Sequence, residues 1–279
     1  MVQIAVTGAS GKAGRGVVRD LLAHGYEVLA IDQVASPDRD VRVLQTDLTD
    51  YGQAIDALDG TAAVVHLANI PADRLRPSVT TFNANVTMNF NVFHAAATLK
   101  MRGVVWASSE TTLGLPFDTP PRYLPIDEDH YPLPTSTYAL SKVASETVAE
   151  HIARWSGIPF VALRFSNILD DDDYAGFPSH FDDPMRRRWN LWSYIDLRDA
   201  AAACRSALEA DVDGATSFII VASDTVMTTP TADLVRRVFP DVEVRGEIGE
   251  FGSLMSGARA RDVIGFVPQH SWRDAPSGS

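Results

Sequence analysis

The chain has one cysteine in 279 residues, Cys204, so it can form neither an internal disulfide nor a cysteine-rich metal site. A reducing cytoplasm is the simplest setting for it. No apolar run approaches membrane-spanning length, and the first residues enter a strand-like run with no basic or separate apolar segment ahead of it. Basic residues are in deficit: 24 Lys and Arg against 36 Asp and Glu leave a net charge of −12. That balance argues against nucleic acid and anionic membrane as partners, although local basic clusters leave room for a negatively charged small substrate. No internal repeat is visible. A soluble cytoplasmic protein is expected, with enough chain for one large domain or one domain and a smaller lobe.

What is present first is a glycine turn, Thr7-Gly8-Ala9-Ser10-Gly11-Lys12-Ala13-Gly14, between an apolar run (residues 2–6) and a helix-like stretch ending at Gly25. In that setting Gly8 allows the tight turn, Gly11 lets a pyrophosphate approach the backbone, and Gly14 lets helix and strand pack closely. The helix start adds free N–H groups and a positive dipole end, so Ser10, Gly11, Lys12 and Ala13 are candidate phosphate neighbours. Eighteen residues past Gly14, a second apolar run ends at Asp32. A carboxylate there can bind both ribose hydroxyls of an adenosine and repels a 2′-phosphate, which favours NAD over NADP. Lys12 is the nearby residue that argues the other way.

Short apolar strands then alternate with helical stretches, at 41–44, 62–67, 103–107 and 160–163 for the strands and about 53–58, 80–100 and 137–155 for the helices. This pattern predicts an α/β fold, a doubly wound parallel sheet with helices on both faces and ligands beyond the strand ends. Asp32, Asp47, Ala68, Ser109 and Arg164 fall at those ends. Two stretches break the rhythm and read as long loops, 115–134 with six prolines and 165–192. The second holds Asp170 to Asp173, read as a hydrated acidic run, and Arg186-Arg187-Arg188, either a solvated basic face or a grip for a carboxylate or phosphate. Residues 194–196 return to the sheet pattern, followed by a helix through Asp199 to Leu208 and a strand at 218–221. From Thr228 a small helical lobe is expected, and Ala275 to Ser279 read as a disordered end. The domain division expected is a dinucleotide-binding core over 1–165, rejoined by 193–222, with 166–192 and 223–279 supplying a substrate-binding loop and small lobe. His66 reads as a packed strand residue, Arg198 as part of a helix start, and no metal site is expected.

Tyr138 and Lys142 stand four apart on one helix, so phenol and ammonium share a face. A lysine cation one turn away favours the phenolate of a tyrosine that is otherwise a poor base. Together with Asp47-Leu48, His66-Leu67-Ala68, Asn85-Val86, Ser108-Ser109, Gly114 and Arg164-Phe165-Ser166-Asn167, the chain resembles the extended branch of the short-chain dehydrogenase/reductase superfamily, the NAD-dependent epimerase/dehydratase family, over nearly its whole length. That resemblance implies a Rossmann-type fold with a small C-terminal substrate lobe and NAD as cofactor. It makes Tyr138 the catalytic acid or base, and gives Lys142 the nicotinamide ribose and the lowering of the Tyr138 pKa. Ser109 would hold the reacting oxygen, and Asn85 would sit in the helix that supports a proton-relay water. Asp47 and Leu48 would flank the adenine, with Leu67 and Ala68 running under the adenosine. A homodimer through the helices near Thr80 and Thr137 is implied by the family alone.

Departures narrow the activity. Leu113 precedes Gly114 where epimerases and dehydratases usually have Tyr, and Ser109-Glu110-Thr111 lacks the adjacent Asp-Glu pair of dehydratases. The short chain, the 109–114 segment and Gly265-Phe266-Val267-Pro268 look most like uronate dehydrogenases, which oxidise a free sugar acid at C1. On that likeness Arg187 matches the arginine that holds the substrate carboxylate, while Pro71 stands where that group tends to have a hydroxyl. Glu110 and Asn167 are further candidates for substrate contact. The expectation is an NAD-dependent sugar or sugar-acid dehydrogenase, with a nucleotide-sugar 4-epimerase retaining its NAD, or a non-catalytic NAD sensor, as alternatives.

Overall fold

The computed structural model describes residues 2–38 and 40–275. Its elements begin with β1 (Gln3–Thr7), α1 (Lys12–Ala23), β2 (Glu27–Asp32), β3 (Val43–Gln45), α2 (Tyr51–Leu58), β4 (Ala63–His66), α3 (Ser78–Thr98) and β5 (Val104–Ala107). They continue with β6 (Tyr123–Leu124), α4 (Thr137–Ser156), β7 (Phe160–Phe165), β8 (Ile168–Leu169), α5 (Asp171–Tyr174), β9 (Ile195–Asp196), α6 (Leu197–Glu209) and β10 (Ala215–Ile220). The last are α7 (Thr231–Val238), β11 (Glu243–Val244) and α8 (Ala258–Ile264).

Seven strands form one parallel sheet in the order β10-β7-β5-β4-β1-β2-β3. The alternation of side chains along each strand explains why both faces are covered. Ile4 and Val6 point toward Val17, Val18 and Leu21 of α1 and Ala200 and Cys204 of α6. Ala5 points the other way, into a core shared by Val92 and Phe93 of α3, Trp106 of β5, and Ala149 and Ile152 of α4. The order reverses between β1 and β4, which opens a crevice beyond their carboxyl ends where ligands of such sheets bind. Among the described residues no helix is long and apolar enough to cross a membrane.

The two segments expected to be irregular loops are more ordered than their prolines and charges suggest. Within 115–134, β6 pairs in parallel with β11, and Phe117, Leu124 and Ile126 are buried. Within 165–192, β8 pairs with β9, α5 follows, and Phe177, Leu191 and Trp192 are buried. Residues 195–196 therefore leave the central sheet and join β8, contrary to the expected return. These segments share a second apolar core with Val226, Leu234, Phe239, Leu254 and Met255 from beyond β10. Aromatic packing holds it: Phe177 meets the rings of Tyr174, Tyr194 and Trp272 at 5.2, 6.0 and 5.4 Å between centroids. Long-range pairing of isolated aromatics across the chain has no periodic signature, which is why the sequence read as loop. The tail beyond Ala275 lies outside the described residues.

Candidate functional site

Gly8 turns the chain out of β1 with φ +68°, and a Cβ there would stand 2.7 Å from the Ala68 nitrogen beyond β4. A Cβ on Gly14 would stand 2.1 Å from the Gly8 carbonyl oxygen, so only glycine lets α1 pack on the turn. Gly11 differs. Its Cβ would meet only the Gly8 oxygen, at 3.3 Å, and the turn is otherwise open on that side. Crowding within the protein explains Gly8 and Gly14, whereas no such crowding requires glycine at Gly11. The Asp32 carboxylate is fixed by two backbone donors, Ser10 N at 2.9 Å and Val34 N at 3.2 Å, and the Ser10 hydroxyl donates to the Val34 carbonyl at 2.8 Å. Ser10 thus shapes the site by orienting Asp32.

A buried polar chain runs behind this turn. Thr7 Oγ1 accepts the N–H groups of Leu67 and Ala68, so its proton goes to His66 Nδ1 at 2.6 Å. His66 Nε2 then donates to Asn89 Oδ1 at 2.9 Å, Asn89 Nδ2 to Ser145 Oγ at 2.7 Å, and Ser145 Oγ to the Ser141 carbonyl at 2.8 Å. Every donor has an acceptor only if the imidazole is neutral. Burial, with Lys142 nearby, drives its pKa down to about 3. His66 is a packing residue, as the sequence suggested, and its chain couples β1 and β4 to α3 and α4.

Lys12 pairs with Asp173 and, at 3.0 Å, with Asp170. The acidic run is hydrated only in its middle, at exposed Asp171 and Asp172; Asp170 caps α5 in a reciprocal capping box with Asp173 and brings that carboxylate to the glycine turn. Both partners raise the affinity of Lys12 for its proton against the opposing effect of burial.

At the other end, Ser109 follows β5 and Tyr138 opens α4, whose start is capped by Ser136. Lys142 is buried, with Nζ donating to the Ala107 carbonyl at 2.7 Å and lying 5.6 Å from the centroid of the Tyr138 ring. Without cofactor the electrostatics differ from the sequence expectation. Burial pushes the Tyr138 phenol up to about 12, helped by Glu110 and opposed by the Ser109 hydroxyl; burial also pulls the Lys142 ammonium down to about 7 against the attraction of Glu146. Dehydration is the largest cause of both shifts. Glu146, one turn beyond Lys142, was missed as a site residue. Its carboxylate accepts Ser108 Oγ at 2.6 Å and is gripped through both oxygens by Arg164, at 3.0 and 2.8 Å. The equal spacing Tyr138, Lys142, Glu146 was the available signal.

Both ends open into one cavity of about 820 Å³. Of the candidates for dinucleotide contact, Gly8, Gly11, Lys12, Ala13, Gly14, Asp32, Asp47, Leu48, Leu67 and Ala68 line it, and Ser109, Glu110, Tyr138 and Asn167 line its far end. Lys142 sits just behind this wall. Asn85 does not reach it: its side-chain amide clamps the backbone of Ile70, accepting from Ile70 N at 2.8 Å and donating to Ile70 O at 3.1 Å. Arg187 also lies off the lining, with Trp189 at the wall instead. Among the described residues no cluster of three or more His, Cys, Asp or Glu side chains is placed to hold a metal.

A parallel sheet with a glycine turn after β1 and a carboxylate at the end of β2, and a Tyr-Lys pair on α4 beside a serine after β5, defines a dinucleotide-dependent enzyme of the short-chain dehydrogenase/reductase type. Residues 4–221 match the NAD dependent epimerase/dehydratase family, and the chain belongs to that family. It is 24% identical over 310 residues to a UDP-glucose 4-epimerase of Lacticaseibacillus casei, covering 96% of this chain and 92% of the relative. It is 28% identical over 221 residues to an L-arabinose 1-dehydrogenase (NAD(P)(+)) of Haloferax volcanii, covering 76% and 84%. A crystal structure of a UDP-galactose 4-epimerase superposes with TM-score 0.72 at 26% identity, covering 98% of this chain and 96% of that one.

Proposed function

We propose that this chain is an NAD-dependent dehydrogenase of a free sugar or sugar acid, acting through Tyr138, Lys142 and Ser109. The observation that carries the reading is the sharing of one cavity by Asp32 at one end and Tyr138 with Ser109 at the other. The glycine turn, the N–H groups at the start of α1 and the Asp32 carboxylate fit a dinucleotide, as the open side of Gly11 indicates. When bound, NAD supplies the hydride acceptor. Tyr138 takes the proton of the sugar hydroxyl, and Ser109 donates a hydrogen bond to the same oxygen as charge develops on it. Proton removal by a phenol at about 12 requires positive charge beside it, and Lys142 is the chain's own source, its charge opposed by burial and favoured by Glu146. Asn85 supports the site indirectly, by fixing the loop after β4.

The core over 1–165 with 193–222 is read as the dinucleotide domain; the substrate lobe is read as 166–192 with 223–279, to which the buried part of 115–126 is added. Exposed Val79 and Phe90 on α3 and Leu140 on α4 support a homodimer through those helices, and the single cysteine supports a cytoplasmic setting. A nucleotide-sugar 4-epimerase is the second reading, favoured by the relative that spans nearly the whole chain. Incubation with NAD and a sugar panel separates them, because a dehydrogenase accumulates NADH and an epimerase does not. Tyr138→Phe should abolish turnover and spare NAD binding; normal turnover in that variant refutes the assignment.

A further inference from the structure

The polar cluster at the far end of the cavity has an unexpected arrangement of charge. Glu110 lines the cavity yet is 4% exposed. Its Oε2 accepts the Ser166 hydroxyl at 2.6 Å and its Oε1 accepts Asn190 Nδ2 at 3.3 Å. The same Asn190 nitrogen donates at 2.8 Å to the Ser193 carbonyl, which also accepts Arg187 Nη2 at 3.0 Å. Arg187 is 8% exposed, stacks 5.2 Å from the centroid of Trp189, and has a buried Nε without a protein partner. Trp189 and Glu110, not Arg187, form the wall. The wall at this end therefore carries the Glu110 carboxyl, and the Arg187 guanidinium is turned to the Ser193 carbonyl and Trp189.

Resting on the dehydrogenase reading, we infer that this end of the cavity selects an uncharged, hydroxyl-bearing sugar: Glu110 sets an internal carboxylate in the wall, and it accepts a hydrogen bond from a substrate hydroxyl. A carboxylate on the substrate would have to share the site with a like charge, which is unfavourable unless a proton is taken up. Burial already costs Glu110 more than Arg187 returns, so its carboxyl is raised to about 7. A second anion would raise it further. A sugar hydroxyl, by contrast, donates to the carboxylate and needs no countercharge.

The test uses the purified full chain with NAD and matched pairs, galactose with galacturonate and glucose with glucuronate. NADH formation gives kcat/KM, and calorimetry with the NADH complex gives affinity. The wild type should favour the better aldose over its uronate at least tenfold. Glu110→Gln, nearly isosteric, should weaken aldose use tenfold or more, chiefly in KM, and shrink or reverse the preference, with NAD affinity unchanged. A uronate used as well as its aldose by the wild type, or a ratio unmoved in Glu110→Gln, overturns the inference. If no sugar yields NADH, the dehydrogenase reading fails, and the calorimetry still decides this point: tighter aldose than uronate binding keeps the selectivity, while equal, reversed or absent binding overturns it.

Discussion

Lys142 places its ammonium nitrogen 5.6 Å from the ring centroid of Tyr138, one helical turn away, while donating to the Ala107 carbonyl at 2.7 Å. The cation is thus held in place by the strand that also delivers Ser109, and its charge is supported by Glu146 behind it. Because burial pushes the phenol up to about 12, loss of the cation removes what makes the phenol usable as a base. Lys142→Met should lower kcat at neutral pH by about 10²–10⁴-fold, with activity recovering as pH rises and the phenolate forms. A pH–rate profile of the two proteins checks this; a parallel drop at all pH values contradicts the electrostatic role.

Two glycines of the same turn should respond differently to alanine. Gly14→Ala drives a methyl to 2.1 Å from the Gly8 oxygen, forcing backbone to move, and should cost about 1–3 kcal/mol of stability. Gly11→Ala meets only one atom at 3.3 Å and should stay within about 1 kcal/mol of the wild type. It should nevertheless weaken NAD binding about tenfold or more, because its open side is where the dinucleotide is proposed to lie. Thermal unfolding with and without NAD distinguishes the two.

Asp32 is held by Ser10 N and Val34 N with its carboxylate on the cavity wall. The protein should bind NAD at least about tenfold more tightly than NADP, and Asp32→Asn should narrow that ratio by removing the repulsion of the 2′-phosphate. Titration with both cofactors reads this out. Equal affinities in the wild type would show that Lys12, already paired with Asp170 and Asp173, outweighs the carboxylate.

His66 gives a pH dependence of stability. Its pKa falls from the ordinary 6.5 in the unfolded chain to about 3 in the fold. Between these values the unfolded chain binds more protons, so this contribution to stability is fully present above about 6.5 and is lost as pH falls toward 3. His66→Asn, uncharged throughout, should be less stable than wild type at pH 7 and should lose less stability on acidification. Urea unfolding at several pH values measures both slopes; parallel slopes contradict a neutral buried imidazole.

The central sheet was legible because each strand from 3 to 165 is a short apolar run bounded by a turn or helix, and the glycine turn carried its own geometry. Tyr138, Ser109 and Asp32 were legible for the same reason: they sit at strand or helix ends fixed by periodicity. Arg187, singled out from a run of three arginines, is the one that turns inward against Trp189, but it does not line the cavity, because a run of like residues does not show where its buried member points. Asn85 kept its helix, while its contact with the Ile70 backbone was not legible, since Ile70 lies in a loop with no periodic signal. Asp170 and Asp173 looked solvated until a capping box and Lys12, far off in sequence at the glycine turn, gave them partners. The second apolar core was hidden because its members come from separate irregular segments and meet only in the fold.

The account stands most directly on hydride transfer to NAD from a sugar by this chain. Purified wild type and Tyr138→Phe, each given NAD and the panel of aldoses and uronates, should show NADH accumulating over many turnovers in the first and none in the second. NADH formed equally by both, or by neither while NAD binds normally, contradicts it.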